Sequence, residues 1–158
     1  MAEVRKKGSS GRRTEFANGP TWRALNDDEL EQLEQFRGLG RQMCGYYGID
    51  EANSPELLDR LYEVWRDDVR EKVEPLHAAC AIGAMLGDIL SDRLCFDWCM
   101  IVDEQGVEFC LKSEVSDWET YPVNYVWKRV EPGADEHINF CAGAWDLFRE
   151  RVRPRKLQ

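Results

Sequence analysis

The chain has 158 residues, 43% apolar and 32% charged, enough for one domain with its own core and too few for two. No apolar run approaches the roughly 20 residues of a membrane-spanning helix. No apolar stretch follows the basic residues Arg5, Lys6, Lys7, Arg12 and Arg13 either, so the expectation is a cytoplasmic, globular chain rather than a secreted, collagenous or transmembrane one.

The charge is unevenly spread. With 21 Lys and Arg against 30 Asp and Glu the total is −9. Residues 1–13 and residues 149–158 each carry +4, which leaves −17 on residues 14–148. An acidic body repels phosphate backbones, so nucleic acid is disfavoured as a partner except through the basic ends, and a basic protein suits it better. Residues 1–20 read as a flexible basic tail with Gly8-Ser9-Ser10-Gly11 in its middle, residues 21–152 as a single domain and residues 153–158 as a second basic tail.

The first helix starts at Asn26, where Glu29 sits at the capping-box position and Leu25 and Leu30 fit a hydrophobic staple. Leu30, Leu33, Phe36, Met43 and Tyr47 make its apolar stripe, Gly48 is placed to end it, and Gly38 and Gly40 invite a kink. A second helix is expected with Asn53 as cap, Pro55 in its first turn and Leu57, Leu58, Leu61, Trp65 and Val69 inward. Pro75 separates it from a third helix running to about Leu94, whose apolar, small-residue middle contains Gly83 and Gly87. Each glycine costs a helix about 1 kcal/mol, so the pair implies close approach of another element, and this helix reads as the central one.

The period then changes to alternation. Residues 96–102 and 107–112 predict a hairpin about the turn Asp103-Glu104-Gln105-Gly106. A polar loop from Ser113 to Pro122 leads to an expected third strand over Val123–Val130, and an amphipathic helix spans about Ile138 to Val152. Helices followed by a meander predict an α+β fold: N-terminal helices packed on a small antiparallel sheet of three or more strands, with a C-terminal helix.

Chemistry-bearing residues are sparse. Six cysteines without a C-x2-C pair read as buried thiols rather than a zinc site, so neither metal nor cofactor is expected. His77 and Cys80 share a helix face, but the Ala-Ala-Cys-Ala setting reads as packing rather than a nucleophile with its base. There is no serine elbow and no glycine-rich phosphate loop. Asp88 interrupts an apolar helix and needs a partner, for which Arg129 of the expected third strand is the candidate in a structural ion pair. Trp118, Tyr121, Trp127 and Arg129 are the candidate interaction residues, being types enriched in binding hot spots.

From Gly83 to about Val130 the chain resembles a bacterial domain-of-unknown-function family, DUF3806. The resemblance rests on Gly83-Ala84-Met85-Leu86-Gly87-Asp88-Ile89-Leu90, then Trp98, then Asp103-Glu104-Gln105-Gly106, then Pro122 and Val126-Trp127-Lys128-Arg129-Val130. It implies a bacterial cytoplasmic α+β domain and carries no activity. The functional expectation is a non-enzymatic adaptor or immunity-type inhibitor that binds a protein through an acidic, aromatic-containing surface. The alternative is a small-ligand binder or enzyme with a pocket near Asp88, Cys99, Trp127 and Arg129.

Overall fold

A computed structural model describes residues 4–6, 19–114, 117–135, 137–152 and 154. Its elements are β1 (Val4–Lys6), β2 (Thr21–Arg23), α1 (Asp27–Tyr46), α2 (Pro55–Asp67), α3 (Pro75–Arg93), β3 (Phe96–Asp103), β4 (Gly106–Ser113), β5 (Trp118–Thr120), α4 (Pro122–Val130) and α5 (Phe140–Arg151). The fold is α+β. The strands form one five-stranded sheet in the order β1-β5-β4-β3-β2, antiparallel at every pairing.

Helix starts follow local chemistry. The Asn26 side chain accepts from Glu29 N–H while the Glu29 carboxylate accepts from Asn26 N–H, the reciprocal box the spacing predicts. α1 runs unbroken through Gly38 and Gly40, and Gly48 takes a φ of 72° just beyond its end. α2 is capped one residue later than expected. Ser54 Oγ, not Asn53, accepts from Leu57 N–H, because Pro55 belongs at the first helical position and so makes its predecessor the cap. α2 stops at Asp67, which leaves Val69, expected inward, 98% exposed.

α3 is the central element, packed against α1, α2, α4 and β3. Its glycines do what their cost implies. A Cβ on Gly83 would stand 2.6 Å from the Val123 Cα of α4, one on Gly87 would collide with the Trp98 ring, and Gly40 of α1 leaves room for the Met85 side chain. Around this helix the main core gathers Leu58, Leu61, Ile82, Leu86, Leu90, Phe96, Leu111, Val126 and Phe148, each at most 1% exposed. Full burial of such side chains is worth about 1.5–3 kcal/mol apiece.

The hairpin forms as predicted, with Asp103 opposite Gly106 at its turn and Phe96 opposite Ser113 at its base. Pleating separates two faces. Phe96, Trp98 and Leu111 join the helix-covered core, whereas Ile101, Cys110 and Tyr121 form a second, smaller cluster with Trp22 and Cys99.

The expected third strand is a helix instead. Pro122, Tyr125, Val126, Arg129 and Val130 are buried, a spacing of i, i+3, i+4, i+7 and i+8, and Pro122 with its fixed φ opens the turn. β-branched and aromatic residues gave Val123–Val130 a strand-like composition, but burial against Gly83 selects the 3.6 period. The third long-range strand is the short β5, inside the segment expected to be a polar loop. Val4–Lys6 pair with β5, so part of the expected N-terminal tail is an edge strand. Gly8-Ser9-Ser10-Gly11 and residues 155–158 lie outside the described residues.

Candidate functional site

Asp88 lines a cavity of about 650 Å³ between α1, the α1–α2 connection and α3. Its partner is not Arg129 but Arg37, one helix away. Arg37 Nε and Nη2 each donate at 2.8 Å to one oxygen of Asp88, a bidentate pair, and Trp98 Nε1 donates to Oδ1 at 3.0 Å. Asp88 thereby ties α1, α3 and β3 together. The bond to Asp88 holds the Arg37 guanidinium above its ordinary value against desolvation. Composition favoured Arg129 only because a strand there would have faced α3.

The other cavity cations are also engaged. Arg41 donates to Glu34 at 2.9 Å, and Glu34, accepting from Arg41 and Arg37, has its carboxyl lowered. Arg93 donates to the Asn53 carbonyl at 2.7 Å and lies 5.5 Å from the Trp145 ring centroid. Cys44, Ala52, Met85 and Ile89 supply an apolar lining. At the mouth, Asp50, Glu51 and Asp92 are exposed and make no ion pair with a described residue. The arrangement presents acceptors over a partly apolar floor.

The candidate interaction residues do not assemble. Tyr121 is 1% and Arg129 6% exposed, so neither presents a surface. Arg129 lies on the Tyr125 ring, 3.8 Å from its centroid, and donates to the Tyr125 carbonyl at 2.7 Å. Trp127 is half-buried on the other side of the same helix, since residues two apart in a helix diverge. Trp118 packs on the main core under Arg151, 5.4 Å from its ring centroid. The alternative pocket is likewise divided: Asp88 lines the large cavity, Arg129 lines a separate one of about 450 Å³ by α2 and α4, and Cys99 lines a third, about 420 Å³, beside β2.

Other perturbed groups serve the fold. Asp59, 3% exposed on α2, accepts from the Cys141 and Ala142 N–H groups at 2.8 and 2.9 Å and so caps α5 from a distance, where Asn139 makes no side-chain cap. Burial raises its carboxyl and those two bonds pull it back. This role was invisible in sequence, because Asp59 sits mid-helix and its partners are 82 and 83 residues on. His77 is exposed, and burial alone raises the Cys80 thiol, the opposite of an activated nucleophile. Among the described residues no group of three or more His, Cys, Asp or Glu is arranged to hold a metal ion, and no helix is long and apolar enough to cross a membrane.

No curated protein sequence matches the chain. A crystal structure from Bacteroides thetaiotaomicron VPI-5482 is similar in fold, with a TM-score of 0.62 at 13% identity. The similarity covers 80% of this chain and 47% of that one, so the chain spans about half the length of its structural relative. The family described as "Domain of unknown function (DUF3806)" matches residues 58–140, from Leu58 of α2 through Gly83, Asp88, Trp98 and Arg129 to the first residue of α5. That span is more than half of the 158 residues, and the chain belongs to the DUF3806 family.

Proposed function

We propose that this chain is a non-enzymatic, cytoplasmic binding protein, an adaptor or inhibitor that takes a basic segment of a second protein at the α1–α3 cleft. The observation that carries the reading is the charge arrangement there. Arg37, Arg41 and Arg93 are each bound to a carboxylate or a carbonyl, whereas Asp50, Glu51 and Asp92 stand exposed at the rim. A Lys or Arg stem would lie on Cys44, Ala52, Met85 and Ile89 while its head meets the rim carboxylates. A body of net −17 over residues 14–148 would speed the approach of a basic partner. The six free thiols suit a reducing compartment.

A second reading, a small-ligand pocket, is favoured by the cavity's volume, which falls within the usual range of about 300–1,000 Å³. Native mass spectrometry of the tagged protein recovered from its host at low salt separates the two. The expected result is a stoichiometric basic protein that dissociates as salt rises and is absent when Asp50→Asn, Glu51→Gln and Asp92→Asn are combined. A chain carrying only extra small-molecule mass, a bare chain, or a partner undiminished by the triple substitution overturns the partner-binding reading.

A further inference from the structure

Cys99 and Cys110 stand directly opposite each other on β3 and β4, on the sheet face away from the helices, and the Cys110 thiol donates to the Leu111 carbonyl at 3.5 Å. We propose that Cys99 and Cys110 are a redox-active dithiol in which Cys99 meets a hydroperoxide and Cys110 resolves it into a reversible cross-strand disulfide. Three features of the geometry divide the roles. Cys99 is half-buried and lines the cavity of about 420 Å³ that Trp22, Asp97 and Lys112 also border, so a small oxidant reaches it. Cys110 is 0% exposed and is reached only through its neighbour. The ladder holds the two residues opposite each other on one sheet face without any loop movement.

Electrostatics support the same division. The Cys110 thiol beside it, aided by Lys112, lowers the Cys99 thiol against the opposing effect of burial. The neighbouring Cys99 and burial raise Cys110. Elsewhere burial raises Cys44, Cys80 and Cys141, so Cys99 differs from these other thiols. Thiolate character is what makes a cysteine nucleophilic.

The chemistry balances with a hydroperoxide as the sole oxidant. The Cys99 thiolate attacks one peroxide oxygen, an S–O bond forms, the O–O bond breaks, and the departing oxygen leaves as water or alcohol after protonation. Cys110 sulfur then attacks Cys99 sulfur. The S–S bond forms, the S–O bond breaks, and the hydroxide released takes the Cys110 proton. Two thiols are oxidised by two electrons and the peroxide is reduced by two. Opposed strand residues have Cα atoms about 4.5–5.5 Å apart, within the disulfide range.

The test is peroxide treatment of the folded, reduced full chain, followed by alkylation in denaturant and mass mapping. Cleavage after Glu104 or Glu108 puts Cys99 and Cys110 on separate peptides. The expected result is a peptide pair joined through Cys99 and Cys110, a loss of two alkylation sites, and full return of both on adding a dithiol reductant. Cys99→Ser should leave Cys110 reduced, and Cys110→Ala should let a sulfenic acid accumulate at Cys99, trapped by dimedone. Because Cys110 is fully buried, the wild-type mapping stands alone if that variant misfolds. Complete alkylation of both cysteines after peroxide, or a disulfide that joins other cysteines while Cys99 stays free, overturns the proposal.

Discussion

Asp88 and Asp59 are both acidic residues inside helices, and each is held by donors far away in sequence. Asp88 accepts three hydrogen bonds, two from Arg37 and one from Trp98. Truncation would leave the Trp98 indole N–H without its acceptor and Arg37 with only the longer bond to Glu34, 3.4 Å, in a half-buried site. Asp88→Ala should therefore cost about 1–3 kcal/mol in urea unfolding, and Arg37→Met less, since Trp98 still serves the carboxylate left behind. A smaller loss for Asp88→Ala than for Arg37→Met would contradict that assignment. Asp59→Ala removes the only side-chain cap of α5 among the described residues and should cost about 1–2 kcal/mol. Asp59→Asn keeps one acceptor and should cost less, a difference that thermal unfolding measures.

At the scale of elements, glycines in helices have opposite meanings that only their surroundings reveal. Gly83 sits against the backbone of α4, so neither partner can yield by a side-chain rotation. Gly83→Ala should destabilise by about 1–3 kcal/mol, as overpacking does. Gly143 of α5 has nothing within 4 Å of its missing Cβ. Gly143→Ala should accordingly stabilise by up to about 1 kcal/mol through helix propensity. Denaturant midpoints of the two variants should move in opposite directions; the same sign for both would mean that the α3–α4 contact is looser than it looks. The α3 glycines were legible because their cost demands a reason. α4 was misread because Tyr125, Trp127 and Arg129 alternate as a strand would, while Pro122, Tyr125, Val126, Arg129 and Val130 equally trace a helix face. A nine-residue segment with both periods is decided by its neighbour, here the bare backbone at Gly83.

For the molecule as a whole, acid should unfold this acidic protein through a few carboxylates. Arg23, with help from the Asn26 N–H, holds the Glu29 carboxyl down at about 2. Arg70 bonds hold Asp68 low, and Arg66 does the same for Asp67. A lowered folded value means that the stabilisation is complete above the ordinary carboxylate value and is lost as pH falls through the folded one. Asp59 has the opposite sign, being raised by burial, and relieves part of that loss. Stability should thus fall between about pH 4.5 and pH 2, and Glu29→Gln should flatten the fall, as denaturant midpoints at several pH values would show. An unchanged slope in that variant would remove Glu29 from the account.

The Asn26–Glu29 capping box, the hairpin turn, the helix-breaking prolines and the small face of α3 were readable in the linear chain, because each rests on interactions within a few residues. So was the family, through Gly83, Gly87, Asp88 and Trp98. What needed the tertiary structure were the pairings across long sequence separations: Arg37 rather than Arg129 beside Asp88, Asp59 beneath α5, and Cys99 opposite Cys110. Residue type states which partners a buried carboxylate or thiol accepts, but not which one the fold delivers. Packing makes that choice, since burial rewards one arrangement of helices on the sheet and brings distant donors and acceptors together only as its consequence.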